Sequence, residues 1–88
     1  MKSIYRFTLD YGRHGFLSGV FSADDSDVEK IIGERIYFGE VLGKHSEVVA
    51  TMEPKMFTLL TSDPDFVAKF DEYRLDNGYN PFDYREEQ

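Results

Sequence analysis

The side chains with the widest chemical range in this sequence are its two histidines, His14 and His45. Each lies two residues after a glycine in a short polar segment between two apolar stretches, so we expect both in hairpin turns. If those turns meet at one end of a sheet, the two imidazoles and nearby carboxylates could bind a metal ion or a small ligand. The chain contains no cysteine, which excludes thiolate zinc sites, cysteine nucleophiles and disulfides.

Two short segments are similar to catalytic motifs but lack the groups that complete them. Arg13–Gly15 matches the Arg-His-Gly tripeptide of histidine phosphatases, whose chemistry also needs further arginines, a second histidine and an acid on a larger scaffold. Gly39–His45 resembles a phosphate-binding loop, but three residues rather than four separate its glycines, and His45 replaces the required Ser or Thr. We interpret both segments as hairpin turns, and we expect neither an enzyme nor a bound cofactor.

The composition is that of a small acidic domain. The chain has 88 residues and a net charge of −7, with no apolar leader at its start and no run of the ~20 apolar residues that cross a membrane. We therefore expect a cytoplasmic protein without membrane contact. Direct binding to nucleic acid is disfavoured, because it needs clustered Lys and Arg. The excess of acids instead suits a protein partner with a basic surface, either by imitating nucleic acid or simply as a solubilising charge.

Hydrophobic periodicity predicts the element order ββα-βββα. The strands are expected at residues 3–11, 16–22, 34–41, 47–52 and 56–61, and the helices are expected to begin near Ser22 and Ser62, each of which precedes aspartates. In the second helix, Phe66, Val67, Phe70 and Tyr73 form the predicted buried face. This order favours an α+β fold with a single, mostly antiparallel sheet of four to five strands and both helices on one face. A β-grasp-like arrangement shares the opening order of hairpin, helix and hairpin.

The C-terminal segment differs in composition from the rest of the chain. We predict a single domain over residues 1–78 and an aromatic, acidic tail over residues 79–88. Tyr79, Phe82 and Tyr84 lie within six residues of one another, whereas disordered tails are normally poor in aromatics. Two interpretations stay open: the tail folds back over the sheet or a helix groove, or its rings insert into a partner.

The centre of the chain carries a family resemblance. Tyr37–Val48 resembles the corresponding stretch of small, acidic, uncharacterised proteins encoded by bacteria and phages, of the host-modulator or defence-inhibitor type. The resemblance implies a protein-binding role, such as inhibition of a host nucleic-acid-binding or defence protein through an acidic surface. It assigns no functional residue.

We therefore predict a non-enzymatic protein-binding module. The expected partner contacts are charged residues around the central turn and aromatic residues of the tail, namely Glu40, Lys44, His45, Glu47, Tyr79, Phe82 and Tyr84. One alternative is the metal or small-ligand site at His14 and His45. Another is a structural homo-oligomer, such as a homodimer, in which a sheet edge or the tail pairs with a second copy.

Overall fold

The computed structural model describes residues 1–43 and 47–85 of the chain, and it has the expected α+β class. Its strands and helices are β1 (Lys2–Asp10), β2 (Phe16–Asp24), α1 (Asp25–Ile31), β3 (Arg35–Gly39), β4 (Val48–Thr51), β5 (Phe57–Thr61), α2 (Pro64–Glu72) and β6 (Asn77–Gly78). Short 3₁₀ turns occupy Gly12–His14, Pro54–Met56 and Pro81–Tyr84. The elements follow the predicted sequence as far as α2, and β6 is an addition to it.

The strands form two sheets rather than the single sheet that the sequence predicted. Four of them make an antiparallel sheet in the order β5-β1-β2-β6, and β3 pairs with β4 in a separate sheet. The prediction was wrong because β5 does not continue from β4. It crosses to the free edge of β1, where Phe57 lies opposite Phe7 and Leu59 opposite Tyr5. The β3–β4 hairpin is left to cover one face of the larger sheet.

The main hydrophobic core lies between the four-stranded sheet and the β3–β4 hairpin. Alternate residues of β1, namely Tyr5, Phe7 and Leu9, point into it, as the period-two pattern predicts. The ring of Phe7 stacks on that of Phe38 from β3, with 5.9 Å between the ring centroids. Each such buried aromatic ring removes on the order of 150–250 Å² from water, so these rings dominate the stability of so small a core.

The two helices lie on opposite faces of the four-stranded sheet. Helix α1 contributes Val28 and Ile31 to the main core, whereas Val67 and Phe70 of α2 pack against Ile4 of β1 in a second, smaller cluster. Successive residues of a strand point to opposite faces, so Ile4 faces away from the main core that Tyr5 enters. The prediction that both helices share one face is therefore wrong, because β1 has an apolar residue on its second face that α2 covers.

The buried stripe of α2 is narrower than predicted. Val67 and Phe70 are buried, but Phe66 is 48% exposed and Tyr73 is 63% exposed. The cluster beneath the helix, built on Ile4 with Val20 beside it, is too small to cover all four side chains. The prediction for Phe66 and Tyr73 was wrong for this reason.

Aspartates begin both helices. The Asp24 carboxylate accepts a hydrogen bond from the backbone N–H of Ser26 at 3.0 Å, and that of Asp63 accepts from Asp65 N–H at 3.2 Å. Such caps satisfy the otherwise unpaired N–H groups of the first turn. Helix α1 begins later than Ser22, because β2 stays paired with β1 as far as Asp24.

Two glycines allow the C-terminal segment to return to the sheet. Gly78 of β6 pairs with Gly19 of β2, and a Cβ atom added at either position would collide with the facing backbone. Gly78 also has a φ of +77°, which disfavours other residues. Beyond it, Tyr79, Phe82 and Tyr84 pack against the main core, and Pro81 is buried. Residues 79–85 thus fold back against the main core. The division into residues 1–78 and 79–88 stays a prediction.

Candidate functional site

An open groove of about 840 Å³ lies on the outer face of the β3–β4 hairpin. Alternation along β3 creates it: Ile36 and Phe38 are buried towards the core, so Arg35 and Tyr37 point outwards. Residues of β3, of the start of β4 and of the C-terminal segment line this β3–β4 groove, namely Glu34, Arg35, Ile36, Tyr37, Glu47, Val49, Tyr84 and Arg85.

A tyrosine and a carboxylate meet within the groove. The neighbouring Glu47 carboxylate favours the protonated hydroxyl of Tyr37, and this raises the pKa of Tyr37 above its usual value of 10.0. The hydroxyl of Tyr11 donates a hydrogen bond to the backbone carbonyl of Glu47 at 3.3 Å. Tyr37 is 48% exposed, so its ring and hydroxyl are accessible to a ligand. Tyr11 therefore holds the backbone at Glu47, and Tyr37 stays protonated at neutral pH.

An ion pair joins the C-terminal segment to β3. Arg85 donates two hydrogen bonds to Glu34, from Nε to Oε1 at 3.0 Å and from Nη2 to Oε2 at 2.8 Å. This two-point geometry fixes the orientation of both side chains. Because the pair is exposed to solvent, it contributes little to stability. Its effect is to hold Arg85 against the groove.

Tyr84 forms a bridge between the groove and the main core. Its ring lies 4.9 Å from the ring of Phe38, centroid to centroid, and 6.5 Å from that of Tyr79. Tyr84 is half-buried and also lines the groove. Phe82 does not line the groove. Its ring packs edge-on against the ring of Phe21 in the core, with 6.0 Å between the centroids.

Of the partner contacts predicted from sequence, the structure brings Glu47 and Tyr84 into one groove. Tyr79 and Phe82 are half-buried against the main core, and Glu40 is exposed just beyond the end of β3. Lys44 and His45 lie outside the described residues. The assignment of these seven residues to a partner interface stays a prediction.

Sequence reasoning missed six of the eight groove residues, among them Arg35, Tyr37 and Arg85, which have long polar side chains. A signal existed for the first two, because the alternation that buries Ile36 and Phe38 places their neighbours on the opposite face. No local pattern indicates Arg85, since its position depends on a contact with Glu34 across 51 residues of chain.

The histidine alternative rests on one described residue. His14 is exposed in the 3₁₀ turn Gly12–His14, with its ring centroid 5.9 Å from that of Tyr11. His45 falls outside the described residues, so the metal or small-ligand hypothesis stays a prediction. Within residues 1–43 and 47–85, no group of three or more His, Cys, Asp or Glu side chains is placed to hold a metal ion. In the same residues, no helix is long and apolar enough to span a membrane.

No protein-family model, no curated protein and no solved structure matches this chain.

Proposed function

We propose that this protein is a non-enzymatic protein-binding module, and that its β3–β4 groove receives a side chain or short loop of a partner protein. The observation that supports this most strongly is the lining of the groove. Two tyrosines, Tyr37 and Tyr84, and two arginines, Arg35 and Arg85, line it. Tyr and Arg are the residue types most enriched, with Trp, at the energetic centres of protein interfaces.

The groove offers one apolar zone between two polar ends. Val49, which is half-buried, supplies aliphatic surface beside the rings of Tyr37 and Tyr84. At one end lie the neighbouring side chains of Tyr37 and Glu47, and at the other the Glu34–Arg85 pair. This arrangement suits an apolar or aromatic anchor flanked by hydrogen-bonding groups.

Arg35 supplies a further contact for a partner. It is exposed on the groove side of β3, and it forms no ion pair with any residue in the described part of the chain. Its guanidinium can therefore donate to a carboxylate or to backbone carbonyls of a partner without first breaking an internal pair. The packing of Tyr84 against Phe38 keeps the opposite wall ordered before binding, which reduces the entropy lost on association.

The net charge of −7 supports a partner with a basic surface. Such a charge attracts the partner over distances up to about a Debye length, roughly 8–10 Å at physiological salt, and mainly raises the association rate. The narrower proposal is a phage or mobile-element protein that modulates or inhibits a host nucleic-acid-binding or defence protein. It is supported only by the resemblance of Tyr37–Val48 to proteins of that type.

Affinity capture from a bacterial lysate tests the proposal. The tagged wild-type chain is compared with Tyr37→Ala in the groove and with Tyr73→Ala as a control of the same residue type. Tyr73 follows α2, on the other face of the four-stranded sheet, and is 63% exposed. We expect a protein that is enriched by the wild type and by Tyr73→Ala, lost with Tyr37→Ala, and recovered less at moderate than at low salt. Equal recovery by all three chains would contradict a role for the groove.

A further inference from the structure

The outer edge of β5 lacks two of the features that protect a sheet edge, a charged side chain and a proline, although the strand has a bulge at Leu60. This strand is one edge of the four-stranded sheet, and within residues 1–43 and 47–85 its single paired neighbour is β1. Its sequence, Phe-Thr-Leu-Leu-Thr, contains neither a charged residue nor a proline. Leu59 is 51% exposed and Leu60 is 40% exposed. An uncharged edge with exposed leucines is a template for pairing with another strand.

We propose that β5 pairs in antiparallel orientation with β5 of a second copy of this chain, so that two four-stranded sheets join across a two-fold axis. An axis at Leu59 places this residue opposite Leu59 of the second copy, and Thr58 opposite Leu60. All five residues of β5 are uncharged, so no like charges face each other across the strands. The bulge at Leu60 lies at the C-terminal end, and Phe57–Leu59 keep regular pairing with β1.

Charges beyond the ends of β5 favour this occupant and this orientation. Lys55 and Asp63 each lie four residues from Leu59, on opposite sides of it. Antiparallel self-pairing therefore brings Lys55 of each copy towards Asp63 of the other, whereas parallel pairing would bring like charges together. Both residues are exposed, and neither forms an ion pair within residues 1–43 and 47–85.

The same charges distinguish a second copy from a strand of an unrelated protein. The two ends of β5 are complementary to each other, and this is the relation that an isologous pairing requires. Two copies of charge −7 repel at long range, but salt screens that repulsion beyond about 8–10 Å. Salt does not remove the short-range contacts between the two β5 strands, or between Lys55 of one copy and Asp63 of the other. None of the residues that line the β3–β4 groove belongs to β5, so this proposal and the proposed function stand independently.

Sedimentation equilibrium over a range of concentrations tests the dimer. We expect the wild-type mass to rise from 10.2 kDa towards twice that value. Leu59→Lys places two ammonium groups opposite each other, so we expect it to raise the dissociation constant about tenfold or more. Leu75→Lys is the matched control, since Leu75 is 52% exposed and lies outside β5, and it should leave the dissociation constant unchanged. Thermal unfolding of both variants checks that they remain folded.

A cysteine placed at the axis tests the register, because the chain has no cysteine of its own. In a buffer of oxidised and reduced glutathione, Leu59→Cys should form a disulfide-linked dimer, which requires the two Cα atoms to lie within about 7 Å. Leu75→Cys should remain monomeric. A wild-type chain that stays monomeric at all concentrations would overturn the proposal, as would a dimer unaffected by Leu59→Lys. A monomer that needs Leu59 to capture another protein would assign the edge to that protein instead, and would also overturn it.

Discussion

The ring of Tyr84 packs 4.9 Å from the ring of Phe38, while Tyr84 also lines the β3–β4 groove. The same side chain thus belongs to the core and to the candidate binding surface. Tyr37, one residue before Phe38, points outwards and is 48% exposed. Tyr84 therefore forms a wall of the groove that the core stabilises, whereas Tyr37 is available for contact with a partner.

These two tyrosines should differ in their effect on stability. Replacing Tyr84 with alanine removes a half-buried ring from the core, so we expect the free energy of unfolding to fall by about 2 kcal/mol. Replacing the exposed Tyr37 should lower it by about 0.5 kcal/mol or less. Urea denaturation at neutral pH measures both values. Equal losses for the two variants would show that Tyr84 does not pack as described.

A pair of glycines tests how the C-terminal segment is held. Gly12 and Gly78 both have positive φ, +67° and +77°, but only at Gly78 would a Cβ atom collide with backbone, that of Ser18 and Gly19. Gly12→Ala should therefore cost only the strain of the left-handed conformation, about 1–2 kcal/mol. Gly78→Ala carries the same strain and must also displace β6, so we expect a loss larger by about 1 kcal/mol or more.

Chemical denaturation compares the two glycine variants directly. Gly78→Ala should also disturb the β3–β4 groove, because Tyr84 and Arg85, which line it, follow β6 in the chain. A loss at Gly78→Ala no larger than that at Gly12→Ala would contradict the close approach of β6 to β2.

Local patterns in the sequence predicted the strands and helices. They could not predict which strands pair with one another, because that depends on contacts distant in the chain. Alternation along β1 and β3 predicted which side chains enter the core, because a strand buries every second residue. The position of β5 was not predictable in the same way, since pairing with β4 or with β1 satisfies its backbone equally. That choice created the second sheet. The opposite positions of the helices have another cause, since α2 covers the apolar second face of β1 at Ile4.

The candidate site shows the same division. Glu47 and Tyr84 were expected as contacts from a polar turn and an aromatic tail, and the groove contains both. Arg35 and Tyr37 follow from the alternation of β3, although that signal was not used to predict a surface. Arg85 could not be found from its neighbours, because its two hydrogen bonds to Glu34 depend on how the tail crosses β3.

A tyrosine–aspartate hydrogen bond should make stability depend on pH. The hydroxyl of Tyr5 donates to Asp25 Oδ1 at 2.6 Å, and this bond, followed by one from Ser3, lowers the pKa of Asp25 below 3.8. The carboxylate form is thus favoured in the folded state. Its stabilising contribution is present above about pH 3.8 and is lost as the pH falls through the lowered pKa of the folded state. Burial and the same bond raise the pKa of Tyr5 to about 12, so Tyr5 itself does not titrate in this range.

Comparison of the wild type with Tyr5→Phe isolates this bond. We expect Tyr5→Phe to be less stable at neutral pH, and the difference in unfolding free energy to shrink as the pH falls below 3.8. Asp24 and Asp71 also have lowered pKa values, but they titrate in both chains and cancel in the difference. Urea denaturation at a series of pH values gives the result. A difference that stays constant into acid would contradict the assigned bond.

The most direct test of the proposed function is the dissociation constant of the partner captured from lysate, measured by isothermal titration calorimetry with three chains. Tyr37→Ala removes the exposed ring of the β3–β4 groove, and Tyr73→Ala removes an exposed ring from the opposite side of the four-stranded sheet. We predict that Tyr37→Ala weakens binding about 30-fold, as expected for a central contact worth ~2 kcal/mol, and that Tyr73→Ala binds like the wild type. Equal affinities for all three chains would contradict binding through the groove.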